Sequence, residues 1–212
     1  VYKRQAVSRL SAGERKQAIV EAAIRLFSEK GFHGVTTREL ALAVGVSEPV
    51  LYQHYQTKRE LYAAIIEFKS CEVEAKIGQA NCAITDLSGT DRNILHAVAM
   101  NIARWHEEDP TLSRLLLYSA LEGQEFSEMF FARHASMFFD MLRQYFEHRI
   151  EQGTFRHVDP VTCAWAFIGM VAHHSEAVNL YHFDPYPQPK ERLLEQMVDL
   201  FLNGISGSTE IK

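Results

Sequence analysis

The chain has 212 residues, 47% hydrophobic and 23% charged, with a formal net charge of −5. This is the balance of a soluble globular protein of one large or two small domains. No apolar run of about 18 residues exists, so no membrane span is expected. The basic start, VYKRQAVSRL, has no apolar run behind it and does not read as a signal peptide.

In chain order, helix signals recur and strand signals do not. Ser11 to Glu14 has the spacing of a capping box, in which serine and glutamate side chains satisfy each other's backbone amides. Ile19, Ala22, Ala23, Leu26 and Phe27 then form one buried stripe, closed by Gly31. Thr36 to Glu39 is a second capping box, opening a helix over 37–44 with Leu40, Ala41 and Val44 inward. Gly45 fits a tight turn, and Ser47 is a natural N-cap for a helix over 47–54. Thr57 to Glu60 is a third capping box, ahead of Leu61, Ala64, Ile65 and Phe68. A linker over 85–91 precedes helices predicted over 91–107, 110–122, 125–152, 159–181 and 190–204. Asp109-Pro110 and Asp159-Pro160 each read as an N-cap followed by an N1 proline. Gly123 breaks or kinks one run, Gly153 ends another, and three prolines make 181–189 a loop. The expectation is an all-α fold of about nine helices.

Charge is unevenly divided. Residues 1–70 hold 11 Lys+Arg against 7 Asp+Glu, whereas residues 71–212 hold 11 against 20. The basic part invites an anion such as nucleic acid. It also carries helix-turn-helix spacing, a short helix over 37–44, a glycine turn and a second short helix over 47–54. On that second helix Leu51 and Tyr55 face inward, and the Tyr55 hydroxyl is expected to find a partner. Pro49, Tyr52, Gln53 and Gln56 share a polar outer face. Gln can pair with an adenine edge, a Tyr hydroxyl can reach phosphate, and a proline ring can touch a thymine methyl. Pro49 costs nothing in a first turn. The start of the helix opening at Lys58 makes a phosphate site of free amides, helix dipole and ammonium, and the Thr36/Thr37 helix start can do the same. Lys3, Arg4 and Arg9 could add a basic arm. The plainer alternative is a three-helix cap with a solvated polar face.

The stretch from Arg15 to Leu61 resembles the DNA-binding domain of TetR/AcrR-family transcriptional regulators. The resemblance rests on Ala18 to Val20, Ala22-Ala23, Leu26-Phe27, Gly31-Phe32, Thr36-Thr37, Leu40-Ala41, Gly45 to Ser47, Leu51 to Tyr55 and Lys58 to Leu61. The family's usual LYxHF is LYQHY here. The resemblance implies that Tyr52, His54 and Lys58 contact the DNA backbone and that Thr36 and Thr37 contact phosphate. It places Ser47, Glu48, Pro49, Val50 and Gln53 toward the groove. Glu48 either accepts from a cytosine amino group or caps its own helix N-terminus, the cap being preferred. Residues 1–57 are then the DNA-binding domain, with helix 58–83 leading into an effector-binding and dimerisation body over 58–212.

That body is rich in large side chains. Phe126, Phe130, His134 and Phe138 fall on one broad stripe, which reads as plain core or as the wall of an effector cavity. The polar and ring residues His96, Trp105, Tyr118, Glu122, Trp165 and His173 complete the candidates for that cavity, and an aromatic-lined cavity suggests an apolar or aromatic effector. Helices 159–181 and 190–204 are apolar on two sides. Phe167, Met170, His174, Val178, Leu194, Met197, Val198 and Phe201 are the candidates for a self-complementary four-helix interface, in keeping with the homodimer the resemblance implies. No metal, cofactor or membrane partner is expected. Cys71, Cys82 and Cys163 have no ligand spacing, and their sparse, odd number suits a reducing cytoplasm. The function expected is a ligand-responsive homodimeric repressor released from a palindromic operator by a small-molecule effector. The competing reading, an all-α enzyme or carrier, would need a nucleophile–base or carboxylate pair in a cleft, and none stands out.

Overall fold

The computed structural model describes residues 12–85, 89–108, 110–123 and 125–206; the side chains of 12, 70, 73–85, 125, 126, 129, 133 and 134 lie outside that description. The Ser11 cap, the N-terminal basic residues, the Asp109 cap and the side chains of Phe126 and His134 therefore fall outside the described residues.

The regular elements of the described chain are helices: α1 (Ala12–Lys30), α2 (Thr37–Val44), α3 (Glu48–His54), α4 (Lys58–Thr85), α5 (Asp91–Glu108), α6 (Pro110–Leu121), α7 (Glu125–Phe130), α8 (Ser136–Glu151), α9 (Pro160–Asn179) and α10 (Lys190–Ile205). A π-helical turn, Phe131–Ala135, joins α7 to α8 without a break, so the single helix expected over 125–152 is locally underwound. The β pairing among the described residues is one isolated bridge, Phe155 to Ser206.

The caps explain the boundaries. Thr36 and Glu39 form the full capping box at the start of α2, and Gly45 ends it at φ 74, where a side chain on Cβ would be strained. Asp159 takes the Thr162 amide at 2.9 Å and so starts α9. At α4 the box is shifted by one residue. Thr57 Oγ1 takes the Glu60 amide, but the Glu60 carboxylate reaches back to the Gln56 amide.

Two apolar clusters form. One joins α1, α2 and α3 to the start of α4 and to Leu112, Leu115 and Leu116 of α6. The other joins α5, α8, α9 and α10 around Phe146, Phe167 and Leu142. The helix-turn-helix therefore shares its core with α6, a helix of the body.

Candidate nucleic-acid interface and cavity

Helix α3 is held by one fully inward aliphatic side chain, Leu51, and by Tyr55 just past its end. Tyr55 is 4% exposed, and its hydroxyl is buried without a partner, contrary to expectation. Burial, and after it the nearby Glu60 carboxylate, pushes its phenol pKa up. The opposite side of the helix is bare. Ser47, Pro49, Tyr52 and Gln53 are exposed, and Val50 and His54 are half-buried. Ser47 occupies the N-cap position but makes no capping bond, which leaves its hydroxyl on the outer face.

Four of the expected contact residues, Thr36, Thr37, Glu48 and Lys58, have other duties. Glu48 neither caps its helix nor points free, since its carboxylate accepts the Thr37 hydroxyl at 2.9 Å and ties the starts of α2 and α3 together. The Thr36 hydroxyl donates to Glu39 and accepts the Glu39 amide, while Lys30 pairs with the other Glu39 oxygen at 2.7 Å. These contacts hold the Glu39 carboxyl down at about 2. A phosphate at this helix start would meet the first-turn amides of Thr37 and Arg38. Lys58 turns inward, with its ammonium donating to the Phe32 carbonyl and lying 4.3 Å from the Phe32 ring centre. Burial lowers its pKa, and Glu122 opposes the shift.

Glu122 belongs to this same junction. Its carboxylate accepts the Phe32 amide at 2.7 Å and the His33 amide at 3.2 Å, capping the chain where α1 ends. Tyr118 donates its hydroxyl to the Glu29 carbonyl at 3.0 Å. Gly31, at φ +73, makes the close approach possible, because a Cβ there would stand 2.5 Å from a Glu122 oxygen and 2.8 Å from the Tyr118 ring. Neither residue is part of the lining of the cavity between α5, α6, α8 and α9. Both sit on α6 or just past it, on the side facing α1.

A cavity of about 840 Å³ opens between α5, α6, the π turn with α8, and α9. Of the expected residues, Trp105, Phe130, Phe138 and Trp165 line it. His96 and His173 do not. His96 buries its Nε2 elsewhere on α5, and His173 is exposed on α9. Sequence reasoning missed His106, which is 5% exposed, and Arg104, both in the wall, to which Phe131 and Phe139 of the ring-rich stretch also belong. Asn101, Arg104, Trp105 and Glu108 fall at i, i+3, i+4, i+7, a mostly polar stripe that reads as solvated until a Trp at its centre is given weight. Among the described residues no cluster of three or more metal-ligating side chains occurs.

The family model for bacterial regulatory proteins of the tetR family matches residues 19–65. The model for the C-terminal domain of AefR-like transcriptional repressors matches residues 93–204, more than half of the chain. The chain belongs to the TetR family. Among its relatives, nucleoid occlusion factor SlmA of Actinobacillus pleuropneumoniae serotype 5b is 31% identical over 147 residues, 69% of this chain and 69% of that one. The HTH-type transcriptional activator FasR of Mycolicibacterium smegmatis is 37% identical over 79 residues, 37% of this chain and 36% of its own. The fold is shared with AibR, solved in complex with isovaleryl coenzyme A and operator DNA (24% identity, TM-score 0.64, 92% of this chain and 100% of that one). It is also shared with a TetR-like regulator from Rhodococcus sp. RHA1 (21%, TM-score 0.67, 92% and 100%). Membership makes this a helix-turn-helix, DNA-binding protein of transcription regulation, and among the described residues no helix is long and apolar enough to cross a membrane.

In this TetR-family chain the expected interface residues divide. Phe167, Leu194 and Val198 are 0%, 1% and 0% exposed, because the stripes carrying them face α5 and α8 inside the subunit's own core. Phe201 is half-buried against Phe146 and Phe167, at 5.5 and 5.1 Å between ring centres. Met170, His174, Val178 and Met197 are half-buried, and the outward faces of the two helices present Ala166, Gly169, His173 and Leu200. A helical wheel shows two apolar stripes but not which of them the subunit itself covers.

Proposed function

We propose that this chain is a homodimeric, ligand-responsive transcriptional repressor that leaves a palindromic operator when a small molecule fills the cavity. The observation that carries this reading is the dual placement of α6. Its Leu116, Leu117 and Ala120 line the cavity, and Glu122 just beyond it holds the amides at the end of α1. A ligand that displaces α6 therefore acts on the element that sets the attitude of α2 and α3. Only a differential affinity for two arrangements is needed to shift the population away from the operator-competent one.

On the DNA side, Gln53, Pro49, Val50 and Ser47 face the major groove and set base preference. Tyr52, His54 and the first-turn amides of α2 meet the backbone. Thr37 and Glu48 brace the two helices against each other, and Lys58 braces the turn after α1. Residues 1–57 act as the DNA-binding unit and 58–212 as the effector and dimer unit, the two sharing one core. The outward faces of α9 and α10 pair with their copies, so that two α3 helices address successive turns of the duplex. The work is done in the cytoplasm and no catalytic step is involved.

The test is a gel shift of the dimer on DNA upstream of its own gene, with and without cavity ligands. A salt-sensitive, sequence-selective shift reversed by a ligand is expected. Relatives named as nucleoid occlusion factors raise a second reading, a role in nucleoid occlusion. The size of the cavity favours the first.

A further inference from the structure

We propose that the cavity takes a flat, apolar, uncharged molecule with one hydroxyl or carbonyl oxygen, recognised at that oxygen by His106. This rests on the cavity being the effector site described above.

The walls are flat rings. Trp105 and Phe130 lie nearly parallel, at 8° with 6.3 Å between ring centres, and Phe139 and Trp165 pair at 5.0 Å on the α8/α9 side. Ile102, Leu116 and Ile168 fill the gaps between them. The π-helical turn supplies Phe131 and Ala135 to the same wall, and such turns recur at ligand sites because they re-aim side chains within a helix.

The charges of the lining argue against an anion. Among the described residues of the lining Arg104 is the one cation, and it is exposed; Glu108 and Glu176 line the cavity as well. A carboxylate or phosphate carried inward would leave water for a place where the described residues offer no counter-charge, at a cost no ring contact offsets.

The buried polar spot is His106 with Ser113. The imidazole is 5% exposed, and its Nδ1 stands 3.4 Å from Ser113 Oγ. Burial lowers its pKa, so the ring is neutral at pH 7. A neutral imidazole has one donor and one acceptor nitrogen. In the tautomer that lets the Ser113 hydroxyl donate to Nδ1, the proton sits on Nε2, for which no other hydrogen bond occurs among the described residues. Nε2–H is then a donor in an apolar wall, and its complement is an uncharged oxygen on a ligand.

The chain's two tryptophans, Trp105 and Trp165, both line the cavity, so their fluorescence reports occupancy directly. The experiment titrates the full-length protein with four probes of one shape: naphthalene, 2-naphthol, 2-naphthoate and 2-naphthylmethylammonium. We expect 2-naphthol to bind about tenfold tighter than naphthalene, the gain from one buried hydrogen bond, and tighter still than either ion. His106→Phe should erase the advantage over naphthalene while naphthalene itself still binds, and His106→Gln should keep most of it. Equal or tighter binding of either ion overturns the proposal, as does an unchanged naphthol-to-naphthalene ratio in His106→Phe. Operator gel shifts run on the same samples separate the two readings. An operator shift with no naphthyl probe binding overturns this ligand class and leaves the regulator standing. Naphthol binding without any operator shift does the reverse.

Discussion

Tyr55 buries a phenol ring that packing needs and a hydroxyl that nothing satisfies. An unmet buried hydroxyl costs on the order of 1 kcal/mol or more, and its replacement by hydrogen costs nothing in ring contact. Tyr55→Phe should therefore raise the unfolding free energy by roughly 1 kcal/mol in urea titration, and an equal loss would show that a water or partner serves the hydroxyl. Gln53 stands at the other extreme, exposed on the face of α3 opposite Leu51. Gln53→Ala should relax base preference at one operator position in a randomised-operator selection, whereas Tyr52→Ala should weaken binding to all sequences alike. His106 links pH to stability. Burial holds its pKa below the ordinary 6.5, so as pH falls past 6.5 the unfolded chain takes up a proton that the folded chain refuses. Stability should decline with acid through that range, and His106→Gln should flatten the decline in urea midpoints measured at about pH 7.5 and 5.5.

At the level of elements, the boundaries of α2, α4 and α9 were readable because capping is local: a threonine or aspartate and a residue three or four positions on decide it. The helix-turn-helix was readable for the same reason, its turn glycine and inward Leu51 lying within one short segment. The duties of Lys58, Tyr118 and Glu122 were not readable. Each is set by a partner far off in the chain, with Phe32 meeting Glu122 across 90 residues. A basic residue at a helix start reads as a phosphate ligand until the carbonyl beside it is known. Glu122 is where α6 meets α1, so Glu122→Ala should uncouple the cavity from the DNA-binding helices. It frees two amides that water can partly serve, for a loss of about 1–2 kcal/mol in stability. Ligand should still quench the tryptophans of that variant while its release from operator DNA is blunted. Retained release of wild-type size would remove α6 from the route.

For the whole molecule, the outward faces of α9 and α10 bear on the assembly. Gly169 has open space around a would-be Cβ, so Gly169→Arg should leave the subunit folded. If α9 and α10 pair with their copies, the buried guanidinium should break the pair, and light scattering should give the mass of one chain, 24.2 kDa. The inward stripe could not be told from the outward one by sequence, because both are apolar at helical spacing and the choice rests on α5 and α8. The claim that joins these scales is that cavity and DNA-binding face are coupled. It is tested most directly by fluorescence anisotropy of labelled upstream DNA, titrated with the dimer in the presence and absence of a cavity ligand that quenches the tryptophans. The account predicts salt-dependent binding of one dimer per palindrome, weakened at least about tenfold by a saturating ligand. Operator affinity unmoved by a ligand that demonstrably fills the cavity would contradict it.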